Sequence, residues 1–276
     1  MSSAVPLVLR GAQRGGGEKE QAEAEEQQAP QEETEENKQE GSDTWRRLKK
    51  TDKERYLDDF ELEVEGKKLV IHQGLANSVE IVGLTVWDSS IVLSKFLEHR
   101  KSQDPSSVVG KRIIEVGGGC GVLSLSAAVL GANVIGTDCK WIVPLMKLNA
   151  QKNASLITDG QLVVQELFWG NESDYKGLGH FDMVLAADTV YLDKKVPDLL
   201  ATIWALADED TEILFGFQEH NPESVRVFWS LVYNYFSGDR VAESELDPIY
   251  QHQKITILRL KKNPEIKSTS ASNASD

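Results

Sequence analysis

Cysteine is scarce in this chain: Cys120 and Cys139 are the only two among 276 residues. Two cysteines make no disulfide scaffold for a chain this long, and their spacing matches no zinc framework. Reduced thiols in a cytoplasmic or nuclear compartment are therefore expected, as small space-fillers rather than reactive groups. Long hydrophobic runs are also missing. None approaches the roughly 18–20 residues of a membrane span. The apolar patch in "MSSAVPLVLRGAQRGGG" is too short for a signal-peptide core and has no charged region before it. The acid-rich sequence that follows at once argues against a transit peptide. A surplus of positive charge is the third absence. Lys and Arg number 30 against 44 Asp and Glu, a net charge of −14. A non-specific nucleic-acid binder needs a basic face to displace counterions, so neither nucleic acid nor membrane is the expected partner.

What is present is unevenly distributed. Residues 1–43 are rich in Gly, Glu, Gln and Ala and nearly devoid of large apolar side chains. Such a segment cannot offset its ordering entropy and reads as a disordered acidic tail, with residues 263–276 as a second, shorter one. The plain reading of the acidic tail is a solvated spacer. The sharper one is attraction of a lysine-rich client, or shielding of the basic patch "WRRLKK" at Trp45. Between the tails, 44–85 reads as an N-terminal β extension and 86–262 as the main domain. The extension contains "FELEVEGKKLVIHQG", a hairpin turning at Glu65-Gly66, and a further extended piece, "SVEIVGLTVW".

From Asp88 onward, helical and extended patterns alternate. Asp88 is placed to cap a helix whose Ile91, Val92, Phe96 and Leu97 recur at helical spacing. Then come "RIIEV" as a strand, "GVLSLSAAVLG" as a helix closed by Gly131, "NVIGTD" as a strand and "WIVPLMKLNAQKN" as a helix. The strand "QLVVQELFW" is read as ending in Trp169. "FDMVLAADTVY" and "TEILFGFQEH" are further strands, each followed by a helix, and "KITILRL" closes the pattern. The expected fold is α/β: right-handed crossovers around a mostly parallel sheet, with an antiparallel hairpin at the C-terminal edge.

The stretch "RIIEVGGGCGVLSL" carries the first chemical signal. Gly117, Gly118, Gly119 and Gly121 crowd the turn after the first strand of the alternation, where doubly wound sheets bind ligands. A dinucleotide fingerprint would be G-x-G-x-x-G, and here the third glycine comes one place early. A phosphate loop would need Gly-Lys-Ser/Thr, and none follows. A ligand with an amino-acid moiety fits better: the bare backbone takes its carboxylate or sugar edge, and Glu115 helps hold a cationic amine. Asp138 ends the next strand 17 residues after Gly121, near the roughly 20 expected for a carboxylate that accepts ribose hydroxyls. A ribose without phosphate, joined to an amino acid, describes S-adenosylmethionine. Trp169 is placed to flank its adenine. Asp188 and Tyr191 fall at the carboxyl edge of the sheet, where a methyl group would be presented. A carboxylate capping the next helix and a core tyrosine are the plainer reading of that pair.

The combination resembles the methyltransferase-like 21 group of seven-strand protein lysine methyltransferases, also called family 16. That family carries V-W-D before a helix, then [VI]-[LI]-E-[LV]-G-x-G-x-G-x-x-[GS]-L, T-D, a W after the third strand, and D-x-x-[YF]. The chain shows Val86-Trp87-Asp88, Ile113 to Leu125, Thr137-Asp138, Phe168-Trp169 and Asp188-Thr189-Val190-Tyr191. The match runs from about Gly83 to Glu219. The resemblance implies a Rossmann-like class I methyltransferase fold with a seven-stranded sheet, S-adenosylmethionine as cofactor, and a protein substrate such as a chaperone or ATPase, acted on by a monomer. It implies that Trp87, the glycines, Asp138, Trp169 and Ala187 contact the cofactor. Asp188 and Tyr191 would shape the lysine channel. Where the family often has Y-E-x-R after the fifth strand, the chain reads Phe217-Gln218-Glu219-His220-Asn221, keeping a glutamate at Glu219 but not the aromatic or the arginine, which bears on the client more than on the chemistry. Two other readings stay open on the same fold: a small-molecule N-methyltransferase with a lidded pocket, and a cofactor-binding interaction protein with little turnover.

Overall fold

A computed structural model describes residues 59–74 and 82–263. Both tails, the "WRRLKK" patch and the first part of "SVEIVGLTVW" lie outside the described residues. The described chain opens with a hairpin, β1 (Phe60–Val64) and β2 (Lys67–Ile71), paired antiparallel. Its two turn residues, Glu65 and Gly66, both have positive φ, 49° and 69°. That is the mirror-image turn whose twist matches two-residue hairpins. Leu62, Val64, Leu69 and Ile71 alternate onto one buried face. They share a core with Ile91, Phe96 and Leu97 of the first helix.

The alternating part follows as α1 (Asp88–Gln103), β3 (Arg112–Val116), α2 (Val122–Val129), β4 (Asn133–Asp138), α3 (Val143–Lys152) and β5 (Gln161–Glu166). It continues with α4 (Glu172–Tyr175), β6 (Met183–Ala187), α5 (Val196–Leu206), β7 (Glu212–Gln218), α6 (Pro222–Tyr235), β8 (Phe236–Arg240) and β9 (Ile255–Lys262). The seven-stranded sheet has the order β5-β4-β3-β6-β7-β9-β8. Pairs from β5 to β7 are parallel, and β9 runs antiparallel to both β7 and β8. The chain leaves β3 in one direction for β4 and β5, then returns to lay β6 on the other side of β3. That reversal opens a crevice beyond the carboxyl ends of β3 and β6.

Both faces of the central strands are covered, so their sequences read as continuous apolar runs. Alternate residues divide between two cores. Ile113, Leu185, Leu214 and Ile257 face α1, α2 and the hairpin. Ile114, Val116, Val184, Phe215 and Leu258 face α5 and α6. Nine consecutive residues of α1, Ser89–Leu97, are buried, including Lys95. Its ammonium lies 2.8 Å from Glu98 and 4.9 Å from the centre of the Tyr250 ring, the pairing a buried cation requires. Among the described residues, no helix is long and apolar enough to cross a membrane.

Four sequence expectations change. The described part of "SVEIVGLTVW" is not extended: Val82–Leu84 is a 3-10 turn, with the Gly74 N–H donating to the Leu84 carbonyl at 2.9 Å. Asp88 does not cap α1 but is its first residue; Trp87 holds the cap position in extended conformation. The strand before Trp169 stops at Glu166, the last residue of β5 paired with β4, opposite Asp138. Trp169 therefore rides on a loop. Finally, the edge strand β8, "FSGDR", has no periodic apolar signal, since four of its five residues are exposed. Polar, charged edges of this kind resist pairing with another chain.

Candidate cofactor cleft

The crevice beyond β3 and β6 is lined by ten of the eleven residues singled out from sequence: Trp87, Glu115, Gly117, Gly118, Gly119, Asp138, Trp169, Ala187, Asp188 and Tyr191. The exception is Gly121. It starts α2 with φ 83°, and a Cβ there would lie 2.8 Å from Met146 Cγ. Its positive φ and close packing against Met146 serve the turn.

The glycine turn is built by β4 as much as by β3. The N–H groups of Gly117 and Gly118 both donate to the Thr137 carbonyl, at 3.0 and 2.9 Å. Gly117 has φ 75°, and a Cβ on it would stand 2.8 Å from Thr189 Cγ2 and 3.0 Å from Trp169 Cζ2. A Cβ on Gly118 would stand 2.7 Å from Met146 Cε and 2.9 Å from Glu115 Oε2. Gly117 is thus held to glycine by conformation and contact, whereas a side chain at Gly118 would require the ends of Met146 and Glu115 to move.

Asp138 sits at the end of β4 with one oxygen on each of two backbone donors: Oδ2 accepts from Gly119 N at 2.8 Å, and Oδ1 from Cys139 N at 2.7 Å. A carboxylate has about four lone-pair sites, so Asp138 keeps acceptor capacity beside these bonds and that of the Cys139 side chain. Burial raises its pKa, and the two donors oppose that shift. Glu115 lies deeper, 1% exposed, under the turn, and accepts from the Ser124 hydroxyl. Burial pushes it up to about 7 despite that bond. Cys139 lies beside Asp138 with its thiol pushed up to about 12, by burial first and the carboxylate second. Such a thiol is no nucleophile at neutral pH.

The opposite wall comes from β6. Ala187 ends the strand, and Asp188 follows with φ 52°, a left-handed conformation rare outside glycine. The strain is held by two distant backbone donors. Asp188 Oδ1 accepts from Gln218 N at 2.9 Å and Oδ2 from Ser89 N at 3.1 Å. Its side chain is 2% exposed, with His220 Nε2 3.8 Å away. Burial raises its pKa against those bonds. Asp188 therefore ties β6 to β7 and to the first turn of α1, rather than offering a free carboxylate to a channel. The His220 ring also packs at 5.1 Å against Trp87. Tyr191 meets Trp169 edge to face at 6.1 Å, and burial pushes its hydroxyl up to about 12, so it stays protonated.

Several lining residues were not singled out from sequence: Thr85, Cys139, Ile142 and Thr189. Cys139 and Thr189 carry a positional signal, each directly following an aspartate already marked, Asp138 and Asp188. Thr85 carries none, because it is brought in by the turn before α1. Beside the cleft, Trp141 is 54% exposed, Phe168 39% and Leu192 48%, leaving an open apolar rim among the described residues.

The residues fit an adenosyl amino-acid cofactor. A bare-backbone cradle stands under the turn. A carboxylate with spare acceptor capacity stands at the ribose distance in sequence. Thr189 Oγ1, also lining the cleft, is buried without a hydrogen-bond partner. Among the described residues there is no cluster of His, Cys, Asp and Glu that could hold a metal ion.

Comparison with known proteins agrees with the motifs. In fold, the chain is similar to the T. thermophilus 16S rRNA methyltransferase RsmC, solved with AdoMet and guanosine. The TM-score is 0.50 at 18% identity, over 74% of this chain and 50% of that one. In sequence, it is 38% identical over 135 residues to the Danio rerio protein N-lysine methyltransferase METTL21A, covering 49% of this chain and 60% of that protein. It is 36% identical over 139 residues to the Mus musculus protein-lysine methyltransferase METTL21E, covering 49% and 56%. The chain thus spans less than two thirds of the relatives' length. The profile described as lysine methyltransferase, family 16, matches residues 63–233, well over half of the chain, and the chain belongs to that family.

Proposed function

We propose that this chain is an S-adenosylmethionine-dependent protein lysine N-methyltransferase. The observation that carries the reading is the convergence of Trp87, the glycine turn, Asp138, Trp169, Asp188 and Tyr191 on one cleft. When bound, the cofactor supplies an electrophilic methyl group on a sulfonium. Asp138 accepts the ribose hydroxyls, and the turn from Gly117 to Gly119 lies against the amino-acid part. Glu115, beneath the turn, offers negative charge near the amine. Trp169 borders the adenine, and Trp87 and Ala187 bound the remaining sides.

The attacking lysine must be neutral, and its ordinary pKa is about 10.4. A dry cleft disfavours the ammonium and so lowers that value. Tyr191, protonated and braced on Trp169, aligns the amine. Asp188 holds the walls at fixed separation and leaves His220, 39% exposed, as the ionisable ring between cleft and solvent. Orientation and exclusion of water supply most of the acceleration. The exposed rim of Trp141, Phe168 and Leu192 supports a protein acceptor over a small molecule, which would call for a cover. A chaperone or ATPase client, a monomeric enzyme and a cytoplasmic or nuclear location complete the reading. Cys120 and Cys139 as reduced thiols agree with a reducing compartment.

The test is transfer of labelled methyl from S-adenosylmethionine to proteins of a cell extract by the full chain. The expected result is a labelled protein band, lost with Asp138→Ala and mapped by mass to lysine. Label confined to small molecules would contradict the protein acceptor.

A further inference from the structure

Two asparagines, Asn149 on α3 and Asn153 at its C-cap, are 0% and 2% exposed. They lie four residues apart, so their side chains stand one above the other on one helix face. Both reach the outer edge of hairpin strand β2. Asn153 Oδ1 accepts from Val70 N at 2.9 Å, and its Nδ2 donates to Val70 O at 2.9 Å. Asn149 Oδ1 accepts from His72 N at 2.8 Å, and its Nδ2 donates to His72 O at 2.9 Å. Four residues of helix rise about 6 Å, and two residues of strand rise about 6.6 Å. The two side-chain amides therefore match the strand's repeat and complete its edge as a neighbouring strand would.

The asparagines differ in one bond. The second amide proton of Asn153 returns to its own helix, at Asn149 O, 2.8 Å away. That of Asn149 goes to the carbonyl of Cys120, at 2.9 Å, inside the glycine turn. The next residue of the hairpin strand's tail, Gln73, is 5% exposed and grips the opposite wall. Its Oε1 accepts from Thr85 Oγ1 at 2.7 Å and from Val86 N at 2.9 Å, immediately before Trp87.

We infer that Asn149 is a positioning residue for the cofactor cleft, fastening the glycine turn to hairpin strand β2, which through Gln73 also fixes the wall at Thr85–Val86. The hairpin lies outside the seven-stranded sheet, yet it sets the distance between two sides of the cleft. The inference deepens the cofactor reading above and rests on it. Because coupling is reciprocal, a ligand in the cleft also stabilises the hairpin edge.

Asn153 supplies the matched control, since it makes the same two bonds to the hairpin and none to the turn. The experiment compares Asn149→Ala and Asn153→Ala in the full chain, with adenosylhomocysteine as the probe. Hydrogen exchange at residues 117–121 is read without ligand, and affinity is read by calorimetry well below either Tm. Both variants are expected to lose thermal stability. Only Asn149→Ala is expected to speed exchange in the turn and weaken adenosylhomocysteine, each by about tenfold, with Asn153→Ala within about twofold of the parent. Equal effects of the two variants, or an unchanged turn in Asn149→Ala, would overturn the inference. If Asn149→Ala does not fold, Asn149→Asp keeps the shape, removes both amide donors and gives the same readouts. If the unaltered chain binds no adenosylhomocysteine, the cofactor reading fails, while exchange in the turn still decides the role of Asn149.

Discussion

Asp138 and Asp188 look alike in sequence and differ in the folded chain. Asp138 ends β4 and Asp188 follows β6, each lines the same cleft, and each carboxylate accepts two backbone N–H bonds. Asp138 takes its bonds from residues 19 and 1 positions away, the glycine turn and its own next residue, in a strand-end conformation. Asp188 takes them from residues 30 and 99 positions away, in a left-handed conformation. A carboxylate bonded to its neighbour and the glycine turn can be removed with the walls intact. A carboxylate joining three elements cannot. Asp138 is thus suited to hold a ligand, and Asp188 to hold the protein around it.

The largest expected effect breaks the first half of that comparison. Asp138→Ala removes an anionic acceptor for two hydroxyls, and hydrogen bonds to charged groups contribute about 1.5–3 kcal/mol each. Adenosylhomocysteine affinity should fall by at least about 100-fold in calorimetry, with a small change in Tm. Next comes Asp188→Ala, which strands two buried N–H groups at about 1–3 kcal/mol each. Stability in urea should drop by about 3 kcal/mol, and Asp188→Asn, which tolerates the left-handed conformation, should recover part of it. Stability losses of equal size in the two alanine variants would erase the distinction.

Glu115 sharpens the comparison as a third carboxylate, one that touches neither solvent nor a distant backbone donor. Its folded pKa, about 7, lies above its ordinary 4.5. The native state therefore holds this proton more tightly than the unfolded chain does. The stability so gained is present at low pH and is lost as pH rises from about 4.5 through about 7, on the order of 3 kcal/mol. Urea melts at pH 5 and pH 8 should show this fall in the parent relative to Glu115→Gln. A parent-to-variant difference that does not change between those pH values would mean Glu115 is ionised throughout.

The fold was legible where one physical rule dominated. Buried strands such as "RIIEV" and "MVLAA" announce themselves by apolar runs, and Glu65-Gly66 by its turn chemistry. The edge strand β8 was not legible, because its pairing with β9 uses backbone bonds while its side chains face water. The cleft residues were legible where geometry forbids alternatives, as at Gly117. Asp188 was legible as a cleft residue, but its tie to Ser89 and Gln218 was not, because these partners are backbone N–H groups that no side-chain pattern encodes. Asn149 and Asn153 escaped notice for a related reason. Their spacing is ordinary on a helix and acquires meaning only beside a strand edge.

The account's central claim is that the cleft between the glycine turn and Asp138 takes an adenosyl amino acid. Isothermal titration of adenosylhomocysteine into the folded full chain tests it most directly. The account predicts saturable heat at one site per chain together with a raised Tm. Absence of both heat and thermal shift in well-folded protein would contradict it.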